Sequence, residues 1–464
     1  MSRARIPDRN PVHSLPWIIL GMLVAIVASG MPLSHDEAFW LAISRKVEAG
    51  ARLYDEAIDN KPPSVYLGVY LLDHLPGSFK VARGLLVGGL IGWIGLLSAR
   101  LSRLRGSLHT TAVTFGVVAA VAVALQTEFV LAVELPALTA LFGSVWFVLR
   151  HRAIPAALMA ALAVAFDPRT LLLLPGLVLL TADRSGWPVA RRFALWTGAL
   201  TILGVGIVVV QPDLRYGLIE LNLGSRASAG GWRPSAQLAV AFRSLLPLAV
   251  AGLLLRPSAT SLRNRTIIWM AAGGLAVGFL SVLPFDHYWA YAVVPLVLLG
   301  SGADGRTARI RPGMAALVMT ISFSPLIVNA LTTALEQRDV TADYAEAAMI
   351  LGAQLQESDQ FVSFDIKPYM AADLPDAYAL RSPVSGYLVW PTSRSQEYLD
   401  ELPSLIDDSV AISEDGGLDV DRAAVSKEYR PVWDLFHERL GDFPCIVETG
   451  RVILRFRTER CPVP

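Results

Sequence analysis

Long apolar segments separated by short polar segments dominate the first 331 residues of the chain. Each apolar segment runs for about 13 to 20 residues, close to the length of a helix that crosses a bilayer. The pattern predicts a mostly α fold, a polytopic bundle of about eleven transmembrane spans. The predicted spans are 16–32, 80–99, 110–126, 129–149, 154–166, 170–182, 193–211, 237–255, 267–284, 288–302 and 313–331.

Two neighbouring spans, 154–166 and 170–182, are unusually short. As helices each would reach about 20 Å, whereas the apolar core of a bilayer is about 30 Å thick. The turn Asp167-Pro168-Arg169 would then lie at membrane depth, where irregular charged backbone is tolerated if it lines a cavity. In the alternative, each helix begins one turn earlier and Arg169 extends to the membrane surface.

The pattern changes after residue 331, where apolar runs shorten and acidic residues and prolines become frequent. We expect domain 1–331 to be the membrane domain and 332–464 to be a small α/β domain outside the membrane. Its predicted elements are a helix over Thr341–Gln356, a strand over Phe361–Phe364, and a hairpin of Cys445–Glu448 and Arg451–Arg457 around Thr449-Gly450. Cys445 and Cys461 either form a disulfide, as is common outside the cytoplasm, or are two free thiols.

Charge settles the expected orientation and excludes one class of partner. The chain is 53% hydrophobic and 17% charged with zero net charge, and without a basic stripe we expect no nucleic-acid partner. Arginines concentrate in the N-terminus and in alternate loops, which are therefore predicted to be cytoplasmic. Residues 33–79, 212–236 and the segment after about 332 are then outside. Because Met31-Pro32-Leu33 is unlike a cleavage site, we expect the first helix to be retained.

The outer loop 33–79 carries the most informative polar residues. Ser34 and Glu37 have the spacing of a capping box, and Phe39, Ile43 and Val47 repeat along one helix face. This pattern predicts a short helix in the membrane interface. Asp36, in its first turn, is favoured by the helix dipole and could take a proton from a hydroxyl nucleophile. The alternative is that Asp36 and Glu37 only cap the helix.

The same loop places a lysine before the next apolar stretch, in the string Asp59-Asn60-Lys61-Pro62-Pro63. The prolines stiffen the chain, and residues 64–75 are expected to form a second interfacial helix. Lys61 would thus lie near the lipid headgroups, where it binds either a substrate phosphate or ordinary headgroups. An acid that activates a hydroxyl and a cation that receives a departing phosphate together indicate sugar transfer from a lipid phosphate.

These strings resemble the GT-C superfamily of membrane glycosyltransferases, especially bacterial relatives of protein O-mannosyltransferases and of the lipid A aminoarabinose transferase. The resemblance rests on Asp36-Glu37, Tyr54-Asp55, residues 59–63, Tyr66, Gly77 and Arg83, and more weakly on Ala165-Phe166, Leu171–Pro175, His287-Tyr288-Trp289 and Pro295-Leu296. It covers most of the chain, but only the segment 35–83 is specific.

The resemblance implies an inverting enzyme of the bacterial inner membrane that uses a polyprenyl-phosphate sugar and an envelope acceptor outside the cytoplasm. Asp36 would be the base, Glu37 would orient the acceptor or the loop, and Lys61 and Arg83 would serve the donor phosphate. Many relatives need no metal. Relatives often carry a basic residue soon after the phenylalanine of the intramembrane turn, whereas here Asp167 precedes Arg169, so that pair could be structural.

Further candidates come from the rest of the membrane domain. Arg169 and His287 are predicted to bind the donor phosphate, although His287 could instead bind a metal or belong to an interfacial aromatic belt. The predicted substrate contacts are Tyr54, Asp59, Tyr66, Glu134, Tyr288, Arg226 and Arg233. Glu128 is an alternative to Glu134, and the glycine-rich loop 212–236 is either a lid or a plain surface loop. The histidines and cysteines have no metal-ligand spacing, so we predict no structural zinc. We expect no cofactor, and a divalent cation is an alternative that no motif indicates.

Two other functions compete with a glycosyltransferase. A transporter or flippase of lipid-linked sugars would share the phosphate-binding cations, but the chain lacks the inverted repeat of interrupted spans that many transporters show. A membrane scaffold with a binding domain outside would leave the charged loop 33–79 unexplained.

Overall fold

The computed structural model describes residues 14–31, 33–55, 60–104, 109–223, 234–255, 264–281, 285–300, 312–356, 359–363, 395–414, 430–450 and 452–462. The helices are α1 (Leu15–Gly30), α2 (His35–Glu48), α3 (Pro63–Asp73), α4 (Phe79–Leu104), α5 (His109–Gln126), α6 (Glu134–Leu149), α7 (Ala153–Phe166), α8 (Leu174–Ser185), α9 (Trp187–Val210), α10 (Pro212–Arg215), α11 (Pro234–Leu255), α12 (Asn264–Leu280), α13 (Val293–Gly300), α14 (Pro312–Gln354), α15 (Ser395–Asp408) and α16 (Arg430–Arg439). The strands are β1 (Gln360–Ser363), β2 (Ser409–Glu414), β3 (Cys445–Thr449) and β4 (Val452–Phe456). The expectation of a mostly α fold with one small sheet is confirmed.

Two of the described helices are long and apolar enough to cross a membrane by length and composition, Phe79–Arg103 within α4 and α9. Most of the other predicted spans coincide with shorter apolar helices. Two of them begin instead with a 3-10 helix, Pro168–Leu173 before α8 and Asp286–Ala292 before α13. The count of about eleven spans therefore stays a prediction.

The chain divides into two compact units. The helical unit contains residues 1–30, 80–201 and 234–331. The second unit contains residues 31–79, 202–233 and 332–464. The outer loop with Asp36 and Lys61 thus belongs to the second unit, together with the C-terminal segment.

Glycines on α12 let this helix contact both 3-10 helices of the helical unit. A Cβ on Gly273 would overlap the carbonyl of Leu172 in the first 3-10 helix. On Gly274 it would lie 2.9 Å from Cα of Ala292, and on Gly278 it would lie 2.7 Å from the Trp289 ring, both in the second 3-10 helix. Small residues allow such close backbone approach between membrane helices. The glycines of α12 therefore fix where the two irregular segments lie.

The small sheet has the strand order β1-β2-β4-β3, with β1 parallel to β2 and the other pairs antiparallel. The predicted hairpin is β3 and β4, which turn at Thr449-Gly450, where Gly450 has a φ of 59°. Cys445 and Cys461 form a disulfide with their Cα atoms 5.5 Å apart, so that expectation is confirmed. The predicted helix over 341–356 is the C-terminal part of the longer α14.

A Gly274→Ala substitution should destabilise the protein by about 1 to 3 kcal/mol, because the added methyl group overpacks against the backbone of the second 3-10 helix. Gly89→Ala is the matched control, since a Cβ added to Gly89 in α4 would meet no atom within 4 Å beyond its own helix backbone and chain neighbours. It should be neutral or stabilising, because alanine favours helix. Thermal unfolding of both variants in detergent measures the difference. Equal melting temperatures would refute the close packing.

Candidate functional site

The helical hairpin α2–α3 of the second unit carries one group of candidate residues. Its beginning is fixed by the predicted capping box, in which the Ser34 N–H donates to Glu37 Oε2 at 2.9 Å and the Glu37 N–H donates to Ser34 Oγ at 3.2 Å. Glu37 is fully buried. Its neighbour Asp36 is exposed. The cap thus holds Glu37 inside and presents the carboxylate of Asp36 outward.

Ion pairs join the two helices of this hairpin. Arg45 Nε lies 2.8 Å from Asp73 Oδ2 and its Nη2 lies 3.1 Å from Asp73 Oδ1, a bidentate pair. His74 Nε2 lies 3.0 Å from Glu48 Oε1. A hydrogen bond to the Tyr70 carbonyl, and to a smaller extent the Glu48 carboxylate, raises the pKa of His74 above its usual value. These contacts fix the C-terminal ends of α2 and α3 against each other.

The segment before α3 is held through its backbone. Tyr54 is fully buried in a left-handed conformation with φ 71°, and its hydroxyl donates to the Lys61 carbonyl at 2.5 Å. The amide of Asn222 donates to the Asn60 carbonyl at 3.0 Å. The rings of Tyr54 and Tyr66 meet edge to face, 6.3 Å between centroids. These bonds hold the backbone of Asn60 and Lys61 in place before α3.

Several predicted site residues lie elsewhere or outside the described residues. Arg83 is fully buried in the helical unit, and its Nη2 donates to the Ala28 carbonyl. Asp59, Arg226 and Arg233 fall outside the described residues. The predicted roles of Arg83 on the phosphate, and of Tyr54 and Tyr66 on the substrate, stay predictions.

A separate group of candidate residues lies in the helical unit. We name it the Arg169 cluster, and it comprises Glu134, Asp167, Arg169, His287, Tyr288 and Tyr291. Arg169 Nη2 lies 2.5 Å from Glu134 Oε1 and 2.7 Å from Asp167 Oδ2. Both carboxylate side chains are 3% exposed, whereas that of Arg169 is 27% exposed. Since an unpaired buried charge is costly, the guanidinium is what allows both carboxylates to be buried.

Asp167 connects the two 3-10 helices of the helical unit. It caps the first one, because its Oδ1 accepts the Arg169 N–H at 2.9 Å and its carbonyl accepts the Thr170 hydroxyl at 2.8 Å. The Tyr291 hydroxyl of the second 3-10 helix donates to Asp167 Oδ2 at 2.6 Å. The sequence-predicted pair of Asp167 and Arg169 is therefore present, and it also orders the second irregular segment.

Aromatic side chains cover the exposed side of the cluster. The Arg169 guanidinium lies 4.3 Å from the centroid of the Tyr288 ring, a cation–π contact. His287 packs edge to face on Tyr288 at 4.5 Å, and its Nε2 lies 4.0 Å from Glu134 Oε1. Phe285 stacks on His287 at 5.2 Å. Glu134, Arg169, His287 and Tyr288, all predicted site residues, are thus brought together.

A neighbouring network was missed by sequence reasoning. Asp286 is buried and accepts hydrogen bonds from Arg243 Nε at 3.0 Å, from the Ser244 hydroxyl, and from Asn329 Nδ2 at 3.2 Å. The Asn329 amide also lies 3.4 Å from Glu128 Oε1. An arginine inside an otherwise apolar span is itself a signal, because such charges are rare and usually functional. The structure therefore places Glu134 in the Arg169 cluster and Glu128 beside this network.

Tyr54→Phe should lower the stability of the protein by about 1 kcal/mol, because the Lys61 carbonyl loses its donor while the ring packing remains. Tyr70→Phe is the control, since the Tyr70 hydroxyl makes no hydrogen bond to any described residue. Thermal unfolding in the same detergent compares them. Identical curves for the two variants would show that the Tyr54 hydroxyl does not hold Lys61.

Comparisons with known proteins agree with this architecture. No protein-family model and no curated protein sequence matches the chain. Among solved structures, the crystal structure of ArnT from Cupriavidus metallidurans in the apo state is similar, with a TM-score of 0.65 at 14% sequence identity. The match covers 97% of this chain and 99% of that chain. Similarity at this low identity concerns the fold, so function must be argued from the site. The chain shares the fold of ArnT over nearly its whole length.

Proposed function

We propose that this protein is an integral membrane glycosyltransferase that moves one sugar from a polyprenyl-phosphate donor to a hydroxyl group of a cell-envelope acceptor. The acceptor oxygen attacks the anomeric carbon and forms the new glycosidic bond. The bond between that carbon and the phosphate oxygen breaks, and polyprenyl phosphate leaves with the electron pair. Attack opposite the leaving group inverts the anomeric configuration.

The observation that carries this proposal is the α2–α3 hairpin on a chain with the GT-C fold. The hairpin presents an exposed carboxylate, Asp36, and a partly exposed lysine, Lys61. ArnT, the structure that shares the fold, is a lipid A aminoarabinose transferase. A chain of that fold that carries an acid and a lysine followed by two stiffening prolines on one hairpin is suited to transfer from a lipid phosphate.

Asp36 is proposed to accept the proton of the attacking hydroxyl. Removing that proton in the transition state makes the oxygen a better nucleophile. Lys61 is proposed to stabilise the negative charge that develops on the departing phosphate. Glu37 is proposed to orient the loop, since its carboxylate is already bound by the capping box.

The remaining features of the proposal concern the setting. We place the enzyme in the bacterial inner membrane with its N-terminus in the cytoplasm and residues 332–464 outside, as the distribution of arginines predicts. The acceptor would be an envelope glycolipid, polysaccharide or protein. Cationic side chains serve the phosphate in this proposal, and no metal or cofactor takes part.

A product assay separates this function from transport. Purified protein in lipid nanodiscs is given radiolabelled polyprenyl-phosphate sugars with extracted envelope glycolipids, polysaccharides and proteins as acceptors. A labelled product with a new glycosidic bond supports a transferase and excludes mere transport. Movement of donor across the bilayer without any bond formation would refute the proposal.

Asp36→Asn should lower kcat by about 100-fold or more, because the amide cannot accept the proton. The KM for the donor should change little, since the substitution keeps size and shape. Asp442→Asn is the control, because Asp442 is an exposed acid of the C-terminal segment. Steady-state kinetics with the labelled donor measure both variants. Undiminished turnover by folded Asp36→Asn protein would eliminate Asp36 as the base.

Lys61→Met should raise the KM for the donor and the Kd for sugar-free undecaprenyl phosphate by about tenfold or more, since a charge-assisted contact is lost. Methionine keeps a long apolar side chain next to the prolines. Lys80→Met removes an exposed lysine in the first turn of α4 and serves as the control. Binding titrations in nanodiscs decide the question. Unchanged affinity in Lys61→Met would place the phosphate elsewhere.

A further inference from the structure

We infer that the Arg169 cluster binds the sugar ring of the donor, not its phosphate, and that this sugar carries no negative charge. The inference rests on the proposed function and deepens it. It changes the expected roles of Arg169 and His287, which sequence reasoning assigned to the donor phosphate. Every residue of the cluster lies in the helical unit.

The charges of the cluster oppose phosphate binding. One guanidinium, that of Arg169, serves two buried carboxylates, those of Glu134 and Asp167. The guanidinium and the two carboxylates together carry one excess negative charge. An anion that approached Arg169 would therefore also approach Glu134, whose oxygen lies 2.5 Å from the guanidinium. Like charges at such distances repel, and the repulsion is stronger where water is scarce.

The hydrogen-bonding groups that remain suit sugar hydroxyls. No described residue bonds to Arg169 Nη1, and no described residue donates to Glu134 Oε2. The first can donate to a hydroxyl oxygen and the second can accept from a hydroxyl hydrogen. The second 3-10 helix brings the imidazole of His287 to the same side, 4.0 Å from Glu134. A hydroxyl both donates and accepts, so it can satisfy the donor and the acceptor together.

The aromatic ring beside these groups suits the apolar face of a sugar. Tyr288 lies against the Arg169 guanidinium and is only partly buried. Binding sites for small molecules combine such an apolar surface with a few placed polar groups that fix orientation. Asp167 and Tyr291 do not contact the ligand in this arrangement. They position Arg169 through the bonds at 2.7 Å and 2.6 Å to Asp167 Oδ2.

The decisive variant is Glu134→Gln, which keeps the shape of the side chain and removes the excess negative charge. We expect the Kd for sugar-free undecaprenyl phosphate to stay within twofold of wild type. The KM for the donor that turns over should rise about tenfold, because a charged acceptor of a sugar hydroxyl is lost. If Arg169 instead held the phosphate, the same substitution would remove a repulsion and tighten binding of the sugar-free lipid. A fivefold or larger decrease of that Kd would overturn the inference.

A second variant keeps the test independent of the buried charges. Tyr288→Leu removes the ring and should raise the donor KM with an unchanged Kd for undecaprenyl phosphate. Glu346→Gln, an exposed acid of α14, should alter neither quantity. If Tyr288→Leu weakens binding of the sugar-free lipid as much as Lys61→Met does, the sugar subsite is refuted and the proposed function stands. If wild-type protein binds no undecaprenyl phosphate and transfers no sugar, the proposed function itself fails.

A comparison of donors adds an independent result. A site built on hydrogen bonds to hydroxyl groups rejects analogues that lack one. Wild type should therefore discriminate strongly against a donor with one hydroxyl removed, and Glu134→Gln should discriminate less. Donors whose sugar is a uronic acid should be poor substrates because of the excess negative charge. Preference for a uronic acid donor would contradict the inference.

Discussion

The shared guanidinium of Arg169 is the interaction on which the irregular parts of the helical unit depend. Two carboxylates that are 3% exposed would be very costly without it. Through Asp167, the same group caps the first 3-10 helix and receives the Tyr291 hydroxyl from the second. The short spans 154–166 and 170–182 predict that the first 3-10 helix lies at membrane depth, where hydrogen-bond partners must come from the protein. The cluster supplies these partners, and the glycines of α12 supply the space for both segments.

The α2–α3 hairpin solves a different problem, which is to hold polar groups outward at defined positions. The capping box buries Glu37 so that Asp36 is exposed, and the Arg45–Asp73 pair fixes one helix against the other. Lys61 is held by its backbone carbonyl, which accepts the Tyr54 hydroxyl. Under the proposed function, the hairpin carries the proton acceptor and the cation that binds the phosphate. The Arg169 cluster binds the sugar ring. Charge explains this division, because an anion bound at Arg169 would lie close to two buried carboxylates.

The sequence predicted the elements of this fold well, since apolar runs, the capping box at Ser34 and the β3–β4 hairpin are local patterns. It failed where the backbone departs from regular helix. The sequence predicts that span 129–149 begins at residue 129, whereas α6 begins five residues later, at Glu134. The helix begins late because Glu128 and Phe129 adopt left-handed conformations with φ 53° and 60°. Two consecutive residues of this kind without glycine have no sequence signal. The 3-10 helices likewise depend on contacts with α12 that are distant in sequence. The candidate residues of the cluster were recognised one by one. Their charge balance was not, because it requires knowing that Glu134 and Asp167 share one arginine.

The most direct measurement of the central claim is an electron cryomicroscopy structure of the protein in lipid nanodiscs with undecaprenyl phosphate bound. The account predicts phosphate density within hydrogen-bond distance of Lys61 Nζ, with no phosphate at the guanidinium of Arg169. Phosphate density against Arg169, with none at Lys61, would contradict the assignment of phosphate binding to Lys61 and of sugar binding to the Arg169 cluster.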